Sequence, residues 1–302
     1  MVWKRRGRIF RAAGQRPWMR SHTACPVVLP LADGRWRIYF GTRDLQQKAH
    51  VAYIEVDSKH PSNVLKVSDA PVLAPGEFGL FDENGVYPGS IVHDGDRLLM
   101  YYMGRVNLEA PRFAMAIGLA ESRDGGKTFI RLSRAPIMDR NDEDPWMVST
   151  PFVLRDRDRW RMWYLSGKGW TSDGVGSFYA LRQAWSSDGI NWSRQHGWAL
   201  DLNDSETNIA SPTVLRDESG WHMWFCTFVD GSYRLGYAAS SDGISWQREN
   251  TGAVMEETVE DWDRDTVAYP HVVATGDKFV LIYSGRGYGF EGLGFCLAEK
   301  DA

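Results

Sequence analysis

The chain has 302 residues, 43% of them apolar and 25% charged, with a formal net charge of -4. That length suffices for a large buried core, and a mildly acidic balance without an extended basic stripe argues against nucleic acid as a partner. No apolar run reaches membrane-spanning length, so no membrane partner is expected either.

The first element in chain order is VWKRR (2–6), a short strand followed by the apolar residues of RIF (8–10). Its basic cluster KRRGR (4–8) reads as a solvated strand face. CPVVLPLADGRWRIYFGTR (25–43), HVAYIEVD (50–57) and NVLKVS (63–68) follow as alternating, β-branched and aromatic runs cut by a DG turn. The same order then recurs. YPGSIVHDGDRLLMYYMGR (87–105) leads to FAMAIGLAESRDGGKTFIRLS (113–133). STPFVLRD (149–156) and RWRMWYLSG (159–167) lead to SSDGINWSRQ (186–195). ASPTVLRD (210–217) and GWHMWFCTF (220–228) lead to SSDGISWQRE (240–249). YPHVVATGDKFVLIYSGR (269–286) and LGFCLAE (293–299) come last.

The aligned prolines Pro26, Pro88, Pro151, Pro212 and Pro270 are spaced by 62, 63, 61 and 58 residues. Five units at a fixed period are the signature of a repeat architecture. Each unit reads as four antiparallel strands, except the last, which lacks its fourth. VWKRR resembles SWQRE, so the N-terminal segment is expected to supply that outer strand and close a ring. The reading is a single all-β domain over 1–302, a five-bladed β-propeller. Its blades run roughly 11–68, 69–133, 134–196, 197–250 and 251–302, with closing strand 2–10.

Repetition also identifies residues that serve the fold. In SSDGxxW the Asp caps a turn, the Gly permits positive φ and the aromatic anchors adjacent sheets, which accounts for Asp188, Asp242, Phe129, Trp192 and Trp246. Tyr39, Tyr101, Trp163, Trp224 and Ile282 occupy like places and read as packing residues. Cys25, Cys226 and Cys296 lie in apolar strands and read as reduced core thiols. With no apolar leader in the first twenty residues, they point to the cytoplasm.

Chemistry is expected where inner strands begin and second strands end, since these places gather residues from different blades. Before the aligned prolines stand His22 in the first unit, Asp82, Glu83 and Asn84 in the second, and Glu143 and Asp144 in the third. Glu206 and Asn208 follow in the fourth, and Asp263 and Asp265 in the fifth. A recurring carboxylate in varied surroundings predicts one axial pocket with an acid/base pair; turn capping is the alternative. Second-strand ends add Arg43 with Asp44, Arg105, Lys168, and Arg286 with Tyr288. Trp146, Trp170 and Tyr288 lie in non-repeated loops and are candidates for stacking on a sugar ring. No histidine spacing marks a metal site, and no nucleotide-binding loop or other cofactor signature is present.

On these repeats and the SSDGINW and SSDGISW turns, the chain from Trp3 to about Glu299 resembles the five-bladed propeller glycosidases. That superfamily includes β-fructofuranosidases, arabinofuranosidases and xylosidases, and mannoside phosphorylases. The resemblance implies cleavage of an O-glycosyl bond in a short or terminal sugar by axial carboxylates. Glu206 would be general acid and Glu83 its base, with Asp144 or Asp265 as alternatives. His22 stands in the stretch where members carry an Asp on the first inner strand. His22, Arg43, Asp44, Asn84, Arg105, Trp146, Trp170, Asn208, Arg286 and Tyr288 would bind the sugar. A non-catalytic carbohydrate-binding propeller and a glycoside phosphorylase are the other readings.

Overall fold

The computed structural model describes residues 1–249, 253–258 and 260–300. The expected boundary between residues 250 and 251, and the end of the last unit at 301–302, lie outside the described residues.

The chain is all-β. Strand β1 (Val2–Phe10) opens it. Sheet I follows as β2 (Ser21–Pro30), β3 (Arg35–Arg43), β4 (Ala49–Asp57) and β5 (Val64–Val67). Sheet II is β6 (Gly85–Asp94), β7 (Arg97–Asn107), β8 (Phe113–Ser122) and β9 (Ile130–Arg131). Sheet III is β10 (Val148–Asp156), β11 (Arg159–Trp170), β12 (Ser177–Ser186) and β13 (Ser193–Arg194). Sheet IV is β14 (Asn208–Asp217), β15 (Gly220–Val229), β16 (Ser232–Ser240) and β17 (Gln247–Arg248). After β18 (Val254–Met255), sheet V comprises β19 (Ala268–Thr275), β20 (Lys278–Ser284) and β21 (Leu293–Glu299). One helical turn, α1 (Arg286–Gly289), links its last two strands.

Within each sheet the neighbours pair antiparallel. Single parallel bridges, Ala49 to Gly85 and Tyr179 to Asn208, tie sheet I to II and III to IV. Strand β1 fills the fourth position of sheet V, pairing antiparallel with β21 at Lys4–Leu297 and Arg5–Cys296, and in parallel with the two-residue β18 on its other side. The strand resembling SWQRE thus covers the edge that would otherwise be left with unpaired backbone groups.

Innermost strands pack in succession: β2 on β6, β6 on β10, β10 on β14, β14 on β19, and β19 on β2. Each carries a register shift beside its aligned proline, between Ala24 and Val27, Pro88 and Ser90, Ser149 and Phe152, Ala210 and Thr213, and Ala268 and His271. Proline cannot donate to a ladder, so it is tolerated where a bulge interrupts pairing. Four residues before these prolines take positive φ: Cys25 at 54°, Thr150 at 39°, Ser211 at 52° and Tyr269 at 53°. All five prolines line one narrow gap of about 20 Å³.

Consecutive sheets interlock through the repeated aromatics. Phe129 meets Tyr39 at 6.0 Å between ring centroids, Trp192 meets Tyr101 at 5.9 Å, Trp246 meets Trp163 at 6.1 Å, and Trp3 meets Trp224 at 6.1 Å. In each pair a ring in or immediately before the fourth strand packs on the second strand of the preceding sheet. Between sheets V and I, Ile282 and Val64 share a mixed aliphatic and aromatic cluster instead. The turns seat on the same residues: the Tyr39 hydroxyl donates to the Gly126 carbonyl at 2.7 Å, and that of Tyr101 to Gly189 at 2.9 Å. No helix among the described residues is long and apolar enough to cross a membrane.

Candidate functional site

Every sheet contributes to one cavity of about 500 Å³, where inner strands begin and second strands end. Ala24, Tyr87, Ser149, Thr150, Asn208 and Tyr269 come from inner strands, while Arg43, Arg105, Leu165 and Phe228 come from second strands. Two hairpins form one wall. The β7–β8 turn supplies Arg112 and the start of β8 supplies Phe113. The β11–β12 turn supplies Thr171, Val175 and Gly176. The turns are joined by a hydrogen bond from the Arg112 backbone nitrogen to the Gly174 carbonyl, 3.1 Å long.

Polar groups lining the cavity are mostly neutral. The hydroxyls of Tyr179 and Tyr233 lie 2.7 Å apart. With its amide turned so that nitrogen meets the Ser177 carbonyl at 2.6 Å, Asn208 accepts from the Tyr179 hydroxyl at 3.3 Å. Burial pushes Tyr179, Tyr233 and Tyr269 well above the ordinary phenol range, and burial does the same to the Cys25 thiol. These groups therefore meet a ligand as neutral donors and acceptors, with no phenolate or thiolate to act as nucleophile. Charge comes from Arg43, Arg105 and Arg112. No aspartate or glutamate among the described residues lines the cavity.

The recurring carboxylates form a structural repeat. Buried Asp82 accepts from the Tyr102 hydroxyl at 3.0 Å and pairs with Arg131 of β9 at 2.7 Å. Asp144 accepts from the Tyr164 hydroxyl at 2.8 Å and from Ser166, and pairs with Arg194 of β13 at 3.1 Å. Asp263 accepts from Tyr283 and pairs with Arg5 of β1. In sheet IV Phe225 pairs with Gly236 at the corresponding second-strand position, and Glu206 accepts from Thr227 at 2.6 Å and pairs with Arg248 of β17 at 2.7 Å. Thr227 stands two residues beyond Phe225, as Ser166 stands two beyond Tyr164, so a hydroxyl at that position remains as donor where the tyrosine is replaced by phenylalanine. Each carboxylate fastens the segment entering a sheet to that sheet's fourth strand. Burial alone would raise the Glu206 carboxyl, but bonds from Arg248 and Thr227 outweigh it and hold the group below its ordinary range. A general acid needs the opposite shift.

Asp82, Asp144, Glu206 and Asp263 thus sit in buried ion pairs and are not among the cavity-lining residues. Glu83 is half-buried and accepts from the Gly79 backbone nitrogen, while Asp265 is exposed in a turn at φ 60°. Asp44 accepts from Lys48 nitrogen at 2.9 Å and meets His50 at 3.1 Å. His22 lies in a separate recess with Arg286, Trp262 and Phe290, and burial lowers its pKa to about 4, helped by Arg43. Trp146 is 46% exposed and lines none of these recesses. Trp170 packs its ring on Phe113 at 4.9 Å, and Phe113 rather than Trp170 faces the cavity. A large indole at a hairpin base fills the angle behind the lining ring.

Of the expected residues, Arg43, Arg105, Asn208 and Tyr288 meet in the cavity, and Asn84 lies in an adjoining recess with Arg43 and Arg105. Reading the sequence missed Arg112, Phe113, Tyr179 and Tyr233. It also missed Tyr87 and Tyr269, although their position immediately before an axial proline was an available signal.

The glycosyl hydrolases family 32 N-terminal domain matches residues 68–216. A putative glycoside hydrolase from Parabacteroides distasonis has a similar structure, with TM-score 0.75, 12% identity, and 99% of this chain and 97% of that one covered. The Bombyx mori GH32 β-fructofuranosidase BmSUC1 matches with TM-score 0.62 and 14% identity over 95% of this chain and 63% of its own. With the repeated sheets and their axial cavity, these likenesses place the fold among the glycosidase-like propellers. More particularly, the chain belongs to the family of the uncharacterized protein MT1551 of Mycobacterium tuberculosis, to which it is 35% identical over 99% of its length and 100% of the relative's.

Proposed function

We propose that this protein is a saccharide-binding propeller, one domain whose five sheets are its blades, and that it holds a short or terminal carbohydrate in the shared cavity. The observation that carries this reading is the lining itself: aromatic rings, neutral hydroxyls and an amide converge from sheets II to V and their turns, with no carboxylate among the described residues of the lining. Rings cover the apolar face of a sugar and the neutral groups pair with its hydroxyls. Two-carboxylate hydrolysis needs a pair about 5–9.5 Å apart across the scissile bond, and Glu206, Glu83, Asp144 and Asp265 are absent from the lining.

Glycoside cleavage, with Glu206 as acid and Glu83 as base, is the second reading, favoured by the family 32 match over residues 68–216. Calorimetry with a panel of neutral mono- and disaccharides tests binding, and product analysis with and without inorganic phosphate tests hydrolysis and phosphorolysis together. Binding without turnover is expected. Turnover abolished by Glu206→Gln at an unchanged melting temperature would overturn the binding reading and establish the hydrolytic one.

A further inference from the structure

Three arginines stand together at one corner of the cavity. Arg43 ends β3, Arg105 lies near the end of β7, and Arg112 sits in the turn that follows. All three line both the cavity and the adjoining recess that contains Asn84 and Asn107. None of them is in an ion pair among the described residues, whereas Arg5, Arg131, Arg194 and Arg248 each have a carboxylate.

The cluster is held in place by neutral contacts. Arg105 Nε donates to Asn107 Oδ1 at 3.0 Å, and its guanidinium lies 4.8 Å from the Phe113 ring centroid. Arg43 Nε donates to the Tyr87 hydroxyl at 3.3 Å. Burial, followed by repulsion from Arg43 and Arg112, pulls Arg105 below the ordinary guanidinium range, against a partly offsetting influence of Tyr87 and Tyr269. Gathering like charges in a half-buried place is unfavourable until an anion enters. Guanidinium groups bind such anions in a planar, bidentate fashion.

We infer that the Arg43–Arg105–Arg112 corner is a phosphate site, and that the saccharide held in the cavity bears a phosphate monoester there. Phosphate is favoured over a uronate carboxylate because a dianion opposes three positive charges better than a monoanion and offers oxygens to more than one fork. The inference rests on the saccharide-binding reading, with the aromatic wall beside the corner taking the sugar ring.

The test is calorimetry on the full chain with glucose, mannose, their 1- and 6-phosphates, glucuronate and inorganic phosphate at fixed ionic strength. At least one sugar phosphate is expected to bind ten-fold or more tightly than its parent sugar and than glucuronate. Arg105→Ala should erase that preference and Arg105→Lys should keep part of it. Exposed Arg112→Ala, which removes no buried packing, supplies a second variant and should weaken the same preference. Inorganic phosphate binding as tightly as any sugar phosphate would uphold the phosphate site but overturn the monoester, assigning free phosphate as the source. If parent sugars bind and phosphate adds nothing, or if the preference survives all three variants, the inference falls while saccharide binding stands. If neither sugars nor phosphates bind, both fall.

Discussion

Arg248 holds the Glu206 carboxylate from the outermost strand of its sheet, Nη1 to Oε1 at 2.7 Å and Nη2 to Oε2 at 2.9 Å. The pair joins the segment entering sheet IV to the strand leaving it. Glu206→Gln should therefore lower stability, by about 2 kcal/mol for the loss of a charge-assisted buried bond. Sugar binding should change less than two-fold. Thermal melts and calorimetry on the same preparation check both halves, and unchanged stability would remove the clasp from the account.

Trp3 is fully buried and Arg5, two residues on, pairs with Asp263. Together they seat β1 as the fourth strand of sheet V. Trp3→Ala is expected to lose about 3–5 kcal/mol as a buried indole leaves a cavity. Removing residues 1–10 should be more damaging still, because the backbone edge of β21 is also exposed. A truncated chain melting with the intact one would contradict this seating.

Gly189 has φ 74°, and a Cβ there would stand 2.7 Å from the Tyr101 hydroxyl. Gly189→Ala combines backbone strain with a clash in the contact between sheets II and III. A loss of about 1–3 kcal/mol follows from those causes. Tyr101→Phe removes only the hydrogen bond and should lose about 1 kcal/mol. Chemical denaturation of both variants separates the two contributions.

His271 is buried, and burial lowers its pKa from 6.5 to about 4. The unfolded chain takes up a proton near the ordinary value, while the folded chain does so only near the lower one. Stability contributed by the neutral imidazole is thus intact above pH 6.5 and declines as pH falls toward 4, by at most about 3 kcal/mol. His22, lowered to about 4 as well, acts in the same direction. Carboxylates held below their range, such as Glu206, add their loss only at more acidic pH. Melting temperatures between pH 7 and 4.5 should fall, and His271→Gln should flatten that slope.

Trp170 supports Phe113 from behind, with ring centroids 4.9 Å apart. Trp170→Ala should weaken saccharide binding several-fold by loosening the lining ring, while Phe113→Ala should weaken it more. Calorimetry on both variants, with melts as control, checks the order. A stability loss with binding unchanged would place Trp170 in the core alone.

The sequence by itself determined what depends on local chemistry repeated along the chain. Alternating runs, DG turns and prolines at a steady period marked the strands and the aromatic anchors, because each obeys the same steric demand in every sheet. The likeness of VWKRR to SWQRE even located a strand whose partner, β21, lies almost the whole chain away. The direction in which a polar side chain turns was decided only by the tertiary structure. Asp82, Asp144, Glu206 and Asp263 recur before the inner strands, a placement compatible with either an axial pocket or an outer clasp. The arginines two residues beyond Phe129, Trp192, Trp246 and Trp3 settle their orientation, since alternation along a strand buries the aromatic and leaves the arginine on the same side of the pleat, within reach of the carboxylate. Likewise, nothing in the spacing of Arg43, Arg105 and Arg112 announces one corner. They meet because adjoining sheets bring their second-strand ends and hairpin turns to the same side of the cavity.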